Sequence, residues 1–181
     1  MKKIELGISG WNQDLSAKSL SWYPETTPVE VSNKLIDCLE KRSIEGGLNA
    51  RVCLHQSPNA ALHEMIICQR SDQVHPPKRH FDRDKTFLVL RGKLLISLFD
   101  NLGSVIKSWV LEPLPNSGQI SIRIPAGVFH CDFALSDTAV HLETTLGPFS
   151  TKFDREYLWV GGDHPDWNKI KNKLIEKYSE V

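Results

Sequence analysis

His80-Phe81-Asp82-Arg83-Asp84-Lys85-Thr86-Phe87-Leu88-Val89-Leu90-Arg91-Gly92 is the stretch on which the fold turns, and Pro125-Ala126-Gly127-Val128-Phe129-His130 answers it downstream. In the first, a charged lead-in gives way to an apolar run that closes on glycine, which reads as a strand, Thr86 to Leu90, entering a turn. In the second, a Pro-x-Gly turn delivers a further strand, Val128 to Phe133. Each stretch thus carries a histidine close to a strand.

Outward from these two the period stays at two from Arg51 to about Leu146. Arg51–His55, Leu62–Arg70, Lys93–Phe99, Val105–Leu111, Gln119–Ile124 and Thr138–Leu146 are the other expected strands. Ile120, Ile122 and Ile124 share one face, with Ser121 and Arg123 on the other. Asp100-Asn101-Leu102-Gly103 reads as a hairpin turn and Pro113-Leu114-Pro115-Asn116-Ser117-Gly118 as a longer loop. Many short strands with no helix between them predict a closed or two-sheet β architecture.

Upstream, Thr27-Pro28-Val29-Glu30 has the form of a capping box with proline at the first helical position. Val31, Leu35 and Leu39 follow near helical spacing, so a helix is expected from about Pro28 to Ser43, stopped near Gly46-Gly47. The segment with Trp11, Trp22 and Tyr23 shows no period and reads as an arm on the barrel or on a second subunit. From Pro165 to Tyr178, Trp167, Ile170, Leu174 and Tyr178 form one helical stripe, a helix that covers the barrel. The expected units are residues 1–50 as arm and helix, 51–160 as barrel, and 161–181 as terminal helix.

The 181 residues suit one domain, and 22 basic against 22 acidic residues create no field for nucleic acid or an anionic membrane. No run approaches the ~20 apolar residues of a membrane span, and the start lacks an apolar signal core, so a soluble cytoplasmic protein is expected. Cys38, Cys53, Cys68 and Cys131 form no C-x-x-C pair and read as buried thiols. Cys131 should point away from whatever His130 faces, because adjacent strand residues face opposite ways.

The two opening stretches resemble the paired signature motifs of the cupin superfamily: H-x-H, then Glu, then Gly; and later P-x-G-x-x-H. Within it the chain looks most like the WbuC-type cupin-fold metalloproteins found beside bacterial surface-polysaccharide genes. Arg51-Val52-Cys53-Leu54-His55, Met65-Ile66-Ile67, Leu98 to Gly103, Arg123 to His130, Glu143 with Gly147-Pro148-Phe149, and Asp154 to Trp159 carry that likeness in order and spacing. The resemblance implies a mainly β cupin double-stranded β-helix, a jelly-roll barrel flanked by N- and C-terminal α-helices. It also implies a small polar or sugar-derived ligand in the barrel, a homodimer, and His80 and His130 as metal ligands.

At the other two ligand positions the pattern is broken. Lys78 stands where the first His belongs and Lys85 where the Glu belongs. Asp84 lies within the spacing the broad pattern permits, but the register of Thr86-Phe87 and Gly92 places Lys85 at that position. His75 is an odd number of residues from His80, on the other face of a regular strand unless Pro76-Pro77 breaks that regularity.

Two readings follow from different classes. One is a metal-dependent isomerase, epimerase or dioxygenase holding zinc, iron, manganese or nickel on His80, His130 and a substitute ligand. A protonated lysine ~5 Å from such an ion opposes it by several kcal/mol even at an effective dielectric near 20. The other is a binding module in which Lys78 and Lys85, with Arg51, hold an anion, unless the lysines merely extend to solvent. His80, His130 and Glu143 are the catalytic candidates; Arg51, His55, Lys78, Lys85 and His141 are the ligand-binding ones. His141 and Glu143, two apart, share a strand face and suit an acid–base pair. His63 and His164 read as ordinary surface or capping residues.

Overall fold

The structure is a computed structural model and describes residues 3–115, 118–148, 155–159 and 167–178. Expectations that touch Asn116, Ser117, Phe149, Asp154, His164 and Pro165, and the 160/161 boundary, lie outside the described residues.

The chain opens with β1 (Trp11–Gln13) and β2 (Leu20–Pro24), followed by α1 (Asn33–Gly46). Then come β3 (Ala50–Cys53), β4 (Leu62–Arg70), β5 (Lys78–Arg79), β6 (Lys85–Arg91), β7 (Leu94–Phe99) and β8 (Val105–Leu111). It ends with β9 (Ser121–Ile124), β10 (Phe129–Ala134), β11 (Thr138–Leu146), β12 (Glu156–Tyr157) and α2 (Trp167–Tyr178). Among the described residues the strands form a seven-stranded sheet, β1-β2-β3-β4-β11-β6-β9, and a five-stranded sheet, β12-β5-β10-β7-β8.

Helix α1 starts later than the Thr27 capping box predicts. Ser32 is its cap, its hydroxyl oxygen accepting from the Leu35 N–H at 3.3 Å. Val31 is exposed and the first buried side chain is Leu35, so no apolar contact sustains an earlier turn. Gly47, at φ +64, closes the far end as the left-handed cap. Leu35, Ile36 and Leu39 pack with Trp22, Val52, Ile66, Cys68 and Val140 on the outer face of the seven-stranded sheet.

The N-terminal arm is part of this sheet: β2 runs parallel to β3 and antiparallel to β1. Leu20, Ser21 and Trp22 are all buried, so no polar alternation marks the strand in sequence. On the opposite side, Trp167, Ile170, Leu174 and Tyr178 of α2 pack with Leu95, Phe99, Phe129, Cys131 and Phe133 of the five-stranded sheet.

The motif glycines do conformational work. Gly127, at φ +80, donates its N–H to the His80 carbonyl at 2.7 Å and so ties the second motif to the first. Gly92 turns β6 into β7 at φ +75, where an added Cβ would sit 2.5 Å from the Thr138 carbonyl oxygen and 2.6 Å from Ser136 Oγ. Gly92→Ala should therefore cost roughly 1–3 kcal/mol, read as a lower urea midpoint. A loss below ~0.5 kcal/mol, the range of inert surface changes, would show that this turn tolerates a side chain.

Candidate functional site

Alternation in β10 sends Phe129, Cys131 and Phe133 out against α2, and His130, Asp132 and Ala134 into the space between the sheets. In β11, Val140 faces α1, so His141, Glu143 and Thr145 turn inward beside Val89, Phe87 and Lys85 of β6. Lys78 pairs with His130 in register and shares its face. One part of the interior is apolar, with Phe87, Val89, Leu94, Ile96, Leu111 and Ile124. The rest is polar and holds most of the predicted site.

Two ion pairs cross the polar part. Lys85 Nζ stands 2.8 Å from Glu143 Oε1 with both side chains buried, and Lys78 Nζ stands 4.0 Å from Asp132 Oδ1. Burial works to raise the Glu143 carboxyl, but the Lys85 ammonium prevails and leaves it at about 2. Burial also opposes ionisation of Asp132, and Lys78 again holds it well below the ordinary carboxylate range.

The His80 and His130 rings lie 6.2 Å apart between centroids, and Phe87 packs on His130 at 6.3 Å and on His141 at 5.6 Å. His130 Nδ1 is 3.0 Å from the Val128 carbonyl, which can only accept, so Nδ1 carries the proton and Nε2 presents its lone pair. That Nε2 and both ring nitrogens of His141 are buried without a hydrogen-bond partner. Burial, then Lys85, pushes His130 down to about 4, and burial lowers His141 despite Asp132 and Glu143. Both rings are neutral at pH 7.

Lys78 and Lys85 do not extend to solvent; each reaches a carboxylate inside the protein. Asp84 lies on the surface, where it accepts from Arg123 and from the Ala126 N–H at 2.9 Å. Arg51 is half-buried and donates from Nε to Ser21 Oγ at 3.0 Å. His55 stacks on His63 at 4.1 Å with Tyr23 edge-on at 5.7 Å, and burial, then His63, brings it down to about 4. His63, expected at the surface, is buried with Nε2 donating to the Pro58 carbonyl at 3.1 Å. Its strand position beside Met65 and Ile67 turns it inward, which an isolated reading of the residue misses.

Asp132 and Gln69 were not among the candidates. Asp132 is two residues after His130 and so on the same face, a signal available from spacing alone. Gln69 joins the sheets, its Nε2 donating to the Asp132 carbonyl at 2.7 Å.

The divalent metal implied by the sequence resemblance does not fit these residues. Two of the four positions that the resemblance assigns to it carry ammonium groups, and the carboxylates inside, Glu143 and Asp132, face Lys85 and Lys78. Among the described residues no group of three or more His, Cys, Asp or Glu side chains is placed to hold a metal ion.

In sequence, residues 38–111 match a family described as Domain of unknown function (DUF6016). No curated protein matches the chain. In structure it is similar to Protein SO0799 from Shewanella oneidensis, at 15% identity, covering 84% of this chain and 95% of that one with a TM-score of 0.50. It is similar also to the capsular polysaccharide assembling protein CapF from Staphylococcus aureus, at 16% identity, covering 60% of this chain but 29% of that one, TM-score 0.50. A cupin superfamily protein from Desulfitobacterium hafniense aligns at 18% identity over 66% of this chain and 93% of that one, TM-score 0.48. At these identities the likeness is one of fold: a mainly β, cupin-like sandwich of two sheets with a helix on each outer face. No described helix is long and apolar enough to cross a membrane.

Proposed function

We propose that the protein is a WbuC-like cupin-fold binding protein that takes a small, sugar-derived polar molecule on the polar part of its interior and uses no divalent metal. The observation that carries this reading is the buried Lys85–Glu143 ion pair, 2.8 Å long, at the motif position of the metal-ligating carboxylate. An ammonium held there supplies the positive charge that a metal otherwise brings, and it is already matched. Around it, neutral His130 and His141 offer an acceptor nitrogen and further ring nitrogens, groups that suit hydroxyls better than ions.

Two measurements on tag-free protein test this. Elemental analysis should find no stoichiometric zinc, iron, manganese or nickel. A panel of monosaccharides and sugar acids should contain compounds that raise the melting temperature with saturation, by about 2.7 kcal/mol of stability at a hundredfold excess over Kd. His130→Phe should abolish that shift while keeping the fold. Stoichiometric metal, or a shift untouched by His130→Phe, would sink the reading.

A further inference from the structure

Building on that reading, we propose that Arg51, and neither lysine, is the anion-binding residue of the interior, so that the ligand carries one carboxylate or phosphate on a hydroxyl-bearing body. The polar part of the inner face holds the cations Arg51, Lys78 and Lys85, and the carboxylates Asp132 and Glu143. Lys85 lies against Glu143 and Lys78 against Asp132. Among the described residues Arg51 has no carboxylate partner; its side chain donates from Nε to Ser21 Oγ. That bond fixes the guanidinium by one edge and leaves the terminal nitrogens to form the bidentate fork that carboxylates and phosphates match.

The titratable groups on which the Arg51 charge acts are themselves uncharged. Tyr23 is pushed up to about 12, by burial first and then Cys53, and burial raises Cys53. His55 is down at about 4. None of these groups is charged at pH 7, so none neutralises Arg51. Asp14 is the acid that acts on Tyr23 and Cys53, and its Oδ1 accepts from both the backbone N–H and the hydroxyl of Ser16, 2.9 and 2.6 Å away. A half-buried guanidinium without an ion-pair partner is costly to keep, and a bound anion supplies one.

Position does the rest. Arg51 faces the interior because its neighbours Ala50 and Val52 are buried under α1. It pairs with Ile67 of β4, which in turn pairs with His141 of β11. Two strand spacings separate Arg51 from His141, roughly 10 Å between backbones. A ligand of monosaccharide size gripped by Arg51 therefore reaches His141, whose ring nitrogens are buried and want partners.

The test uses isothermal titration of the full chain with D-glucuronate, D-glucose 6-phosphate and D-glucose. The charged probes should bind about tenfold or more tighter than D-glucose, and Arg51→Gln should erase that advantage while leaving D-glucose within about twofold. Should Arg51→Gln fail to fold, Arg51→Lys decides, since it keeps the charge and loses the fork: it should weaken the charged probes alone by about fivefold. Equal binding of charged and neutral probes, or equal losses in the variants, overturns the role of Arg51 and leaves the sugar-binding reading standing. Failure of all three probes to bind the parent protein overturns both.

Discussion

Glu143→Ala lowers the unfolding free energy at pH 7 by about 3–5 kcal/mol, the usual result of stranding one member of a buried ion pair. The Lys85 ammonium loses its partner at 2.8 Å and is left inside the protein with neutral rings around it. Replacing both partners, Lys85→Met with Glu143→Leu, removes the stranded charge and should recover most of the loss, because apolar pairs of similar volume often equal a buried salt bridge. Urea unfolding of the two variants and the parent gives the comparison. If Glu143→Ala costs less than ~1 kcal/mol, the pair behaves as an exposed one and the picture of a sealed polar interior fails.

The same pair sets a pH dependence whose direction follows from linkage. The folded Glu143 carboxyl, at about 2, lies below its ordinary 4.5, so its contribution is present above the ordinary value and is lost as pH falls toward 2. His130, at about 4 against an ordinary 6.5, gives stability that is whole above 6.5 and drains as pH falls to 4. The parent should thus weaken in two stages below neutrality. Glu143→Gln should make the lower stage shallower, a stage Asp132 shares, and His130→Gln the upper, which His55, His75 and His141 share.

How much of this was legible beforehand differs from element to element. β4 and the strands from β6 to β11 are legible through alternation and turn residues, since each shows one face to a core and the next residue to something else. β2 did not, because Leu20 to Trp22 are buried on both faces, and β5 and β12 are two residues long, too short to show any period. The Thr27 capping box predicts α1 too early because it is a local pattern, whereas the helix begins where Leu35 finds the sheet. His80 and His130 were readable from their motifs, and the shared face of His141 and Glu143 from their spacing. What the sequence hid is that Lys85 and Glu143 belong together. They are 58 residues apart, and only the pairing of β6 with β11 makes them neighbours. Read separately, one is an anion clamp and the other an acid–base group; read together, each has cancelled the other, and the surplus charge moves to Arg51.

Lys78→His with Lys85→Glu should turn this interior into a divalent-metal site, with affinity for Zn2+, Ni2+ or Mn2+ rising by at least about 100-fold over the parent. Two ammonium groups that oppose a dication by several kcal/mol each at an effective dielectric near 20 are replaced by a neutral imidazole and a carboxylate. The two histidines are already suited: His130 donates Nδ1–H to the Val128 carbonyl and points a lone pair from Nε2, the arrangement that orients a metal-bound histidine, with His80 6.2 Å away ring to ring. The variant should also carry a stability signature. Without metal the new carboxylate faces Glu143 with no lysine between them, so the apoprotein should melt below the parent. Metal at a hundredfold excess over Kd should restore about 2.7 kcal/mol. Calorimetric titration and thermal unfolding read the two effects independently. If the double variant binds divalent metal no better than the parent, the lysines are not what keeps metal out, and the cause lies in the geometry of the histidines themselves.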